Sequence, residues 1–178
     1  MTKTIKLQCS CGETQLEVSG DPIMVTECLC NSCRAAAARL ERLKGARKIL
    51  NEYGATRFGE YRKDRVHFIA GQECLREFRL KPDADTRRVV ACCCNTPVFM
   101  EMKGGHWVSV YGQLWPEGQM LPLDMRTMTS DLPDTSILPN DVPNLKRQSL
   151  SFYTKLFGAW VAMKFKNPKI EVKGELNA

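Results

Sequence analysis

The sequence predicts a mainly β protein with a short helix after its middle cysteine cluster and a longer helix near the C-terminus. Three observations carry this expectation. Short segments in which apolar and polar residues alternate follow one another through residues 4–111, as half-buried strands require. Glycine, proline and asparagine punctuate the intervals between them. Helical spacing of apolar residues is confined to a few stretches, the longest of them beyond residue 147.

Residues 4–7 and 14–18 alternate on either side of Cys11-Gly12-Glu13, which reads as a hairpin with the first cysteine pair at its tip. Residues 23–26 form a third strand leading into Cys28-Leu29-Cys30. Asn31 or Ser32 then offers an N-cap to the alanine-rich run 35–38 with Leu40 and Leu43, a composition of high helix propensity. Cys33 falls in the first turn of that helix, where free backbone N–H groups and the helix dipole favour a thiolate. Gly45 and Gly54 bracket a short piece containing Ile49, Leu50 and Tyr53 that reads as helical. Strands are expected at 57–61, 66–70, 75–80, 88–91, 98–102 and 107–111, with the clearest turns at Gly71-Gln72, Lys81-Pro82-Asp83-Ala84-Asp85 and Gly104-Gly105. After Trp115, five prolines between Pro116 and Pro143 break the chain too often for regular structure, so residues 116–145 read as an extended arm lying on the domain. Leu150, Tyr153, Leu156, Phe157, Trp160, Val161 and Met163 then follow the three-and-four rule of an amphipathic helix within 148–165. The expected organisation is a β domain over 1–115, the arm over 116–145, and a basic helix and tail over 146–178.

At 178 residues, with 43% hydrophobic and 26% charged residues, the chain is neither disordered nor collagenous. Folding at this length buries roughly 70% of the unfolded surface, so disulfides are not needed to hold it. The formal charge of +6 is unevenly placed: residues 1–145 carry 19 Lys and Arg against 18 Asp and Glu, and residues 146–178 carry seven against two. Arg57, Arg62-Lys63 and Arg87-Arg88 are scattered among acids and read as solvated strand edges. Nucleic acid is therefore not an expected partner.

The nine cysteines are the strongest signal. They fall as Cys9-x-Cys11, Cys28-x-Cys30-x-x-Cys33, a lone Cys74 and the run Cys92-Cys93-Cys94. Their number is odd and no basic-then-apolar leader precedes them, so a cytoplasmic location is expected and a disulfide framework is not. Cys9-x-Cys11 is a two-sulfur hook, and the Cys92–Cys94 run supplies the other half of a tetrahedral structural zinc. Cys28, Cys30 and Cys33 offer three sulfurs in six residues. Three protein ligands with an open fourth position describe a catalytic zinc, unless His67 or His106, the two histidines of the chain, closes the site. Cys74 reads as a small apolar residue. Cys30-Asn31-Ser32-Cys33 also has redox spacing, but the strand pattern of a thioredoxin unit is missing.

Cys9-x-Cys11-Gly12, then Cys28-x-Cys30-x-x-Cys33-Arg34, then Cys94-Asn95-Thr96-Pro97-Val98-Phe99 resembles the glutathione-dependent formaldehyde-activating family, also called the CENP-V/GFA domain. The likeness spans about residues 5–112. It implies a β-tent fold of small antiparallel sheets, a structural zinc held by Cys9, Cys11 and Cys94, and a catalytic zinc held by Cys28, Cys30 and Cys33. The family's penultimate cysteine would fall at position 91, which is Ala91 here. The fourth structural ligand is then Cys92 or Cys93, and the run Cys93-Cys94-Asn95-Thr96-Pro97 resembles a subgroup of relatives that favours Cys93. Asn95 stands where the family has a glycine and tolerates the same left-handed backbone.

The implied activity is that of a zinc-dependent carbon–sulfur lyase, joining or cleaving a small thiol such as glutathione and an aldehyde such as formaldehyde as an S-hydroxymethyl adduct. The alternative is a non-catalytic, zinc-stabilised binding module. In that reading Leu156, Phe157 and Trp160, flanked by Lys155, Lys164 and Lys166, meet a protein partner or an anionic membrane. The bland expectation for the same face is packing on the parent domain.

Overall fold

The computed structural model describes residues 3–178. Its strands are β1 (Thr4–Gln8), β2 (Gln15–Ser19), β3 (Met24–Cys28), β4 (Thr56–Arg62), β5 (Val66–Ala70), β6 (Leu75–Phe78), β7 (Thr86–Ala91), β8 (Thr96–Met102), β9 (Trp107–Tyr111) and β10 (Met125–Thr127). Two helices, α1 (Asn31–Leu40) and α2 (Leu150–Ala162), complete a mainly β architecture. Alternation dictates the first sheet, where β1 turns Ile5 and Leu7 inward and β2 turns Leu16 and Val18 the same way. With β5 they form a three-stranded antiparallel sheet ordered β1-β2-β5.

The second sheet has seven strands in the order β10-β3-β4-β9-β8-β7-β6, antiparallel except for the parallel pair β10 and β3. Tyr61, Val89, Val108 and Val110 bury against the apolar face of the first sheet and form the main core. Side chains alternate across a strand, so the neighbouring residues stand on the opposite face. The register brings Thr26 opposite Phe58, Phe58 opposite Tyr111, Ser109 opposite Met100 and Met100 opposite Arg88. Both helices lie against this second face: Cys33 of α1 packs with Phe58 and Tyr111, and Phe152 of α2 packs with Met24, Met125 and Trp107.

Several local readings change. No helix forms between Gly45 and Gly54. Glu41 takes the backbone N–H groups of Ile49 and Leu50 on one oxygen, Asn51 takes those of Tyr53 and Ala55, and both glycines sit at φ +77°. Side chains have satisfied the donors that a helix would have used. The arm also contains regular structure, because Met125–Thr127 adds to the edge of β3 as β10. Arg126, between those strand neighbours, is 3% exposed and donates to Glu27 at 2.9 Å and to Asp141 at 2.7 Å. Gly71 is required where it stands: at φ +69°, a Cβ would lie 2.7 Å from the Glu13 carbonyl oxygen and from Thr14 Cα.

Helix α2 starts on Ser149, whose hydroxyl accepts the Phe152 N–H at 3.1 Å. Phe152 and Leu156 are buried. His106 Nε2 donates to the Leu156 carbonyl at 2.8 Å and its ring stacks on Trp160. One side of the helix thus packs on the domain, while Leu150, Tyr153, Phe157, Val161 and Phe165 stay exposed.

Candidate metal centres

Two hairpin turns build the first centre. Cys9 and Cys11 come from the turn between β1 and β2, and Cys93 and Cys94 from the turn between β7 and β8. The sulfurs lie 3.5 Å apart for Cys9–Cys11, 3.7 Å for Cys9–Cys93, 3.4 Å for Cys11–Cys93 and 3.8 Å for Cys93–Cys94. A tetrahedral ion with sulfur at about 2.3 Å sets its ligands about 3.8 Å apart, so the four sulfurs are spaced to hold one metal ion.

Polar neighbours orient these sulfurs. The Thr14 N–H donates to Cys9 Sγ at 3.3 Å, Cys94 Sγ lies 3.0 Å from the Thr96 hydroxyl, and the Ser10 N–H donates to that hydroxyl at 3.1 Å. Asn95 holds the turn at φ +55°, the left-handed conformation expected of it. Cys92 stays outside the group, and its N–H donates to the Cys74 carbonyl at 3.0 Å. Cys74 is not simply an apolar core residue, because it groups with Glu13 and Cys93 at the edge of the centre.

The second centre sits where β3 ends and α1 begins. Cys28, Cys30 and Cys33 place their sulfurs within 4.8 Å of one another. The N-cap of α1 is Cys30 itself, not Asn31 or Ser32, and its sulfur accepts the Cys33 N–H at 3.3 Å. The favourable helix terminus therefore serves Cys30 more than Cys33. Hydrogen bonds from Cys28 and then Cys33 hold the Cys30 thiol far below the usual value. Hydrogen bonding to Cys30 pushes Cys28 up to about 12, and the same neighbours raise Cys33.

Among the described residues no fourth protein donor joins these three sulfurs. His67 is exposed on β5, and His106 is committed to α2. A divalent ion held by Cys28, Cys30 and Cys33 would keep an open position, and an all-sulfur set suits zinc among the common metals.

Arg88 is a buried residue that the sequence left on a solvated edge. It is 1% exposed, and its Nη2 donates to the Ser32 carbonyl at 3.2 Å and hydroxyl at 2.9 Å, in the first turn of α1. Among the described residues no carboxylate pairs with it. Its charge favours the Cys30 thiolate, after the hydrogen bonds from Cys28 and Cys33. The other basic residues named with it are paired: Lys63 meets Glu101 at 2.7 Å with both side chains buried, and Arg87 bridges Glu77 and Glu101.

Glu60 was not singled out by the sequence either. It is 3% exposed, and its two oxygens accept the Thr26 hydroxyl at 3.0 Å and the Ser109 hydroxyl at 2.7 Å. Burial pushes its carboxyl up to about 7, against the lowering effect of those hydrogen bonds. The folded state therefore retains a proton that the unfolded chain loses near pH 4.5. Stability from this group is complete below that pH and falls as the pH rises to about 7, by roughly 3 kcal/mol in all, with most of the fall between about pH 4.5 and 7. Urea midpoints of wild type and Glu60→Gln are expected to converge at pH 4 and to separate in favour of the variant at pH 8. Parallel behaviour of the two proteins would show that Glu60 is ionised throughout.

Residues 1–114 match a family of unknown function, DUF6151. The chain belongs to that family. The match contains both cysteine centres and ends before β10 and α2, so this DUF6151 member carries the arm and the C-terminal helix outside the matched region. No curated protein matches the chain. A solved crystal structure of a Rhodobacter sphaeroides protein aligns with 79% of this chain and 99% of its own, at 18% identity and a TM-score of 0.46.

Proposed function

We propose that this DUF6151 member is a zinc-dependent, carbon–sulfur lyase-like enzyme that joins or cleaves a small thiol and an aldehyde such as formaldehyde as an S-hydroxymethyl adduct. The observation that carries the reading is the group Cys28, Cys30 and Cys33, which has no fourth protein donor among the described residues. The order of the three cysteine clusters, similar to that of the formaldehyde-activating family, supports it. A zinc ion held by Cys28, Cys30 and Cys33 would lower the pKa of an incoming thiol, so that the thiol would react as thiolate. In the joining direction the thiol sulfur forms the bond to the aldehyde carbon. The carbonyl electron pair moves onto oxygen, which takes up the proton the thiol released, and cleavage reverses each change.

The chain's own groups serve this chemistry in different ways. Arg88 offsets the excess negative charge of three thiolates around a divalent ion. Glu60, with a carboxyl near half-protonation at neutral pH, holds a proton at its side of the face. The four-sulfur group at Cys9, Cys11, Cys93 and Cys94 is the structural zinc in this reading.

The test mixes zinc-loaded full-length protein with formaldehyde and a panel of thiols and follows hydroxymethyl adduct formation. At least one thiol is expected to react tenfold or more above its spontaneous rate, and Cys30→Ser is expected to lose that excess together with one zinc. Spontaneous rates across the whole panel would refute the activity.

A second reading, the non-catalytic binding module, is favoured by one observation. Leu150, Tyr153, Phe157 and Val161 form an exposed apolar stripe on α2 beside exposed Lys155 and Lys164, a pattern suited to an anionic membrane surface. Co-sedimentation with anionic vesicles would separate the readings, since equal pelleting of the full chain and of one ending at residue 144 removes this one.

A further inference from the structure

A cavity of about 200 Å³ opens on the same sheet face as the three-cysteine centre, with Cys28 at one place in its wall and Glu60 at another. Thr26 and Cys28 are two residues apart on β3, so they share a face about 7 Å apart. Thr26 bonds Glu60, and the cavity follows this line away from the centre. Between them the wall is Phe58, Met100 and Trp107, with Phe152 of α2 opposite. Met102 and Tyr153, 50% and 55% exposed, mark the mouth.

Three properties of this space restrict its occupant. It has room for roughly seven water-sized groups. Most of its surface is hydrocarbon, aromatic or thioether, which gains from covering apolar atoms and nothing from covering charge. Its one carboxyl is buried and accepts hydrogen bonds on both oxygens. No lysine or arginine lines it, so a carboxylate placed inside would lose its hydration without gaining a partner. Part of the wall comes from α2 and from Gln148, which lie outside the region shared with the DUF6151 family.

We propose that the site takes a small, neutral, largely apolar thiol, with its sulfur at the Cys28 end and its hydrocarbon against Met100, Trp107 and Phe152, and that it rejects glutathione. This selection rests on the lyase reading for the identity of the reacting group and departs from it in the substrate. Glutathione is a charged tripeptide, too long for the cavity and carrying carboxylates that nothing in the wall would pair. A short alkyl thiol fits the volume and leaves Glu60 and Ser109 as its polar neighbours. The C-terminal helix acts here as a wall of the substrate site.

Calorimetric titration of the zinc-loaded full chain with butane-1-thiol and with glutathione tests the proposal. Butane-1-thiol is expected to bind at least tenfold more tightly. Within the series from ethanethiol to pentane-1-thiol each methylene should tighten binding by about fourfold, with no further gain once the chain outgrows the cavity. Met100→Trp, which fills the space, should weaken butane-1-thiol at least tenfold while both zincs are retained. The wild-type series decides the matter alone if that variant does not fold. Glutathione binding as tightly as butane-1-thiol, or a series flat in chain length, would overturn the proposal. Adduct formation is measured separately, so selective binding without turnover removes the lyase reading and leaves the pocket, whereas efficient turnover of tightly bound glutathione does the reverse.

Discussion

Cys93→Ser is expected to leave the chain unfolded at room temperature and one metal equivalent short, while Cys92→Ser, one residue away, keeps both equivalents and its melting temperature. Cys93 lies within 3.8 Å of Cys9, Cys11 and Cys94, and its loss breaks the link between two hairpin tips that the chain separates by more than 80 residues. Structural zinc sites contribute on the order of 10–16 kcal/mol in small domains. Whole domains retain only about 5–15 kcal/mol of net stability, so a comparable loss exceeds the reserve. Cys92 has its backbone committed to Cys74 and no place among the four sulfurs. Elemental analysis and circular dichroism melts of both variants check the expectation. A Cys92→Ser protein that loses metal while Cys93→Ser keeps it would move the ligand by one position.

Arg88→Leu is expected to cost the metal-loaded protein about 3–5 kcal/mol, the range seen when one member of a buried charge pair is removed, and to weaken metal at the three-cysteine centre by roughly 10- to 100-fold. Three thiolates around a divalent ion carry one net negative charge. Arg88, buried at 1% exposure and bonded to Ser32 at the start of α1, supplies the opposite charge. The same replacement made in a Cys30→Ser background should cost at least about 1 kcal/mol less, because the anion it balances is already diminished. Urea denaturation of the four proteins closes the cycle. Equal costs in the two backgrounds would mean that Arg88 matters only for packing.

These two residues mark where the sequence was legible and where it was not. Cysteine spacing is a local property, and turns deliver paired sulfurs without help from the rest of the fold, so Cys9, Cys11, Cys28, Cys30 and Cys33 could be read as ligand groups directly. Strands β5 and β9 coincide with the expected 66–70 and 107–111 because alternation alone specifies a half-buried strand. Arg88 and Glu60 were missed for a related reason: alternation says that two faces exist, but not that a helix start or a second helix will cover the polar one. The piece between Gly45 and Gly54 had helical spacing, yet Glu41 and Asn51 offered its backbone closer partners. β10 could not be seen at all, since three residues among prolines become a strand only when β3 is beside them.

That last element has a consequence for the chain as a polymer. The β3 strand, which ends in Cys28, is flanked by β4 on one side and on the other by Met125–Thr127 with Asp124 before them, while the Leu29 N–H is taken by the Thr127 carbonyl at 3.0 Å. A protein ending at residue 114 would bare this row of donors and acceptors, and an uncovered sheet edge is a template for strands from other molecules. The arm therefore works as a guard against self-association, sealing the margin of the sheet from which the three-cysteine centre projects.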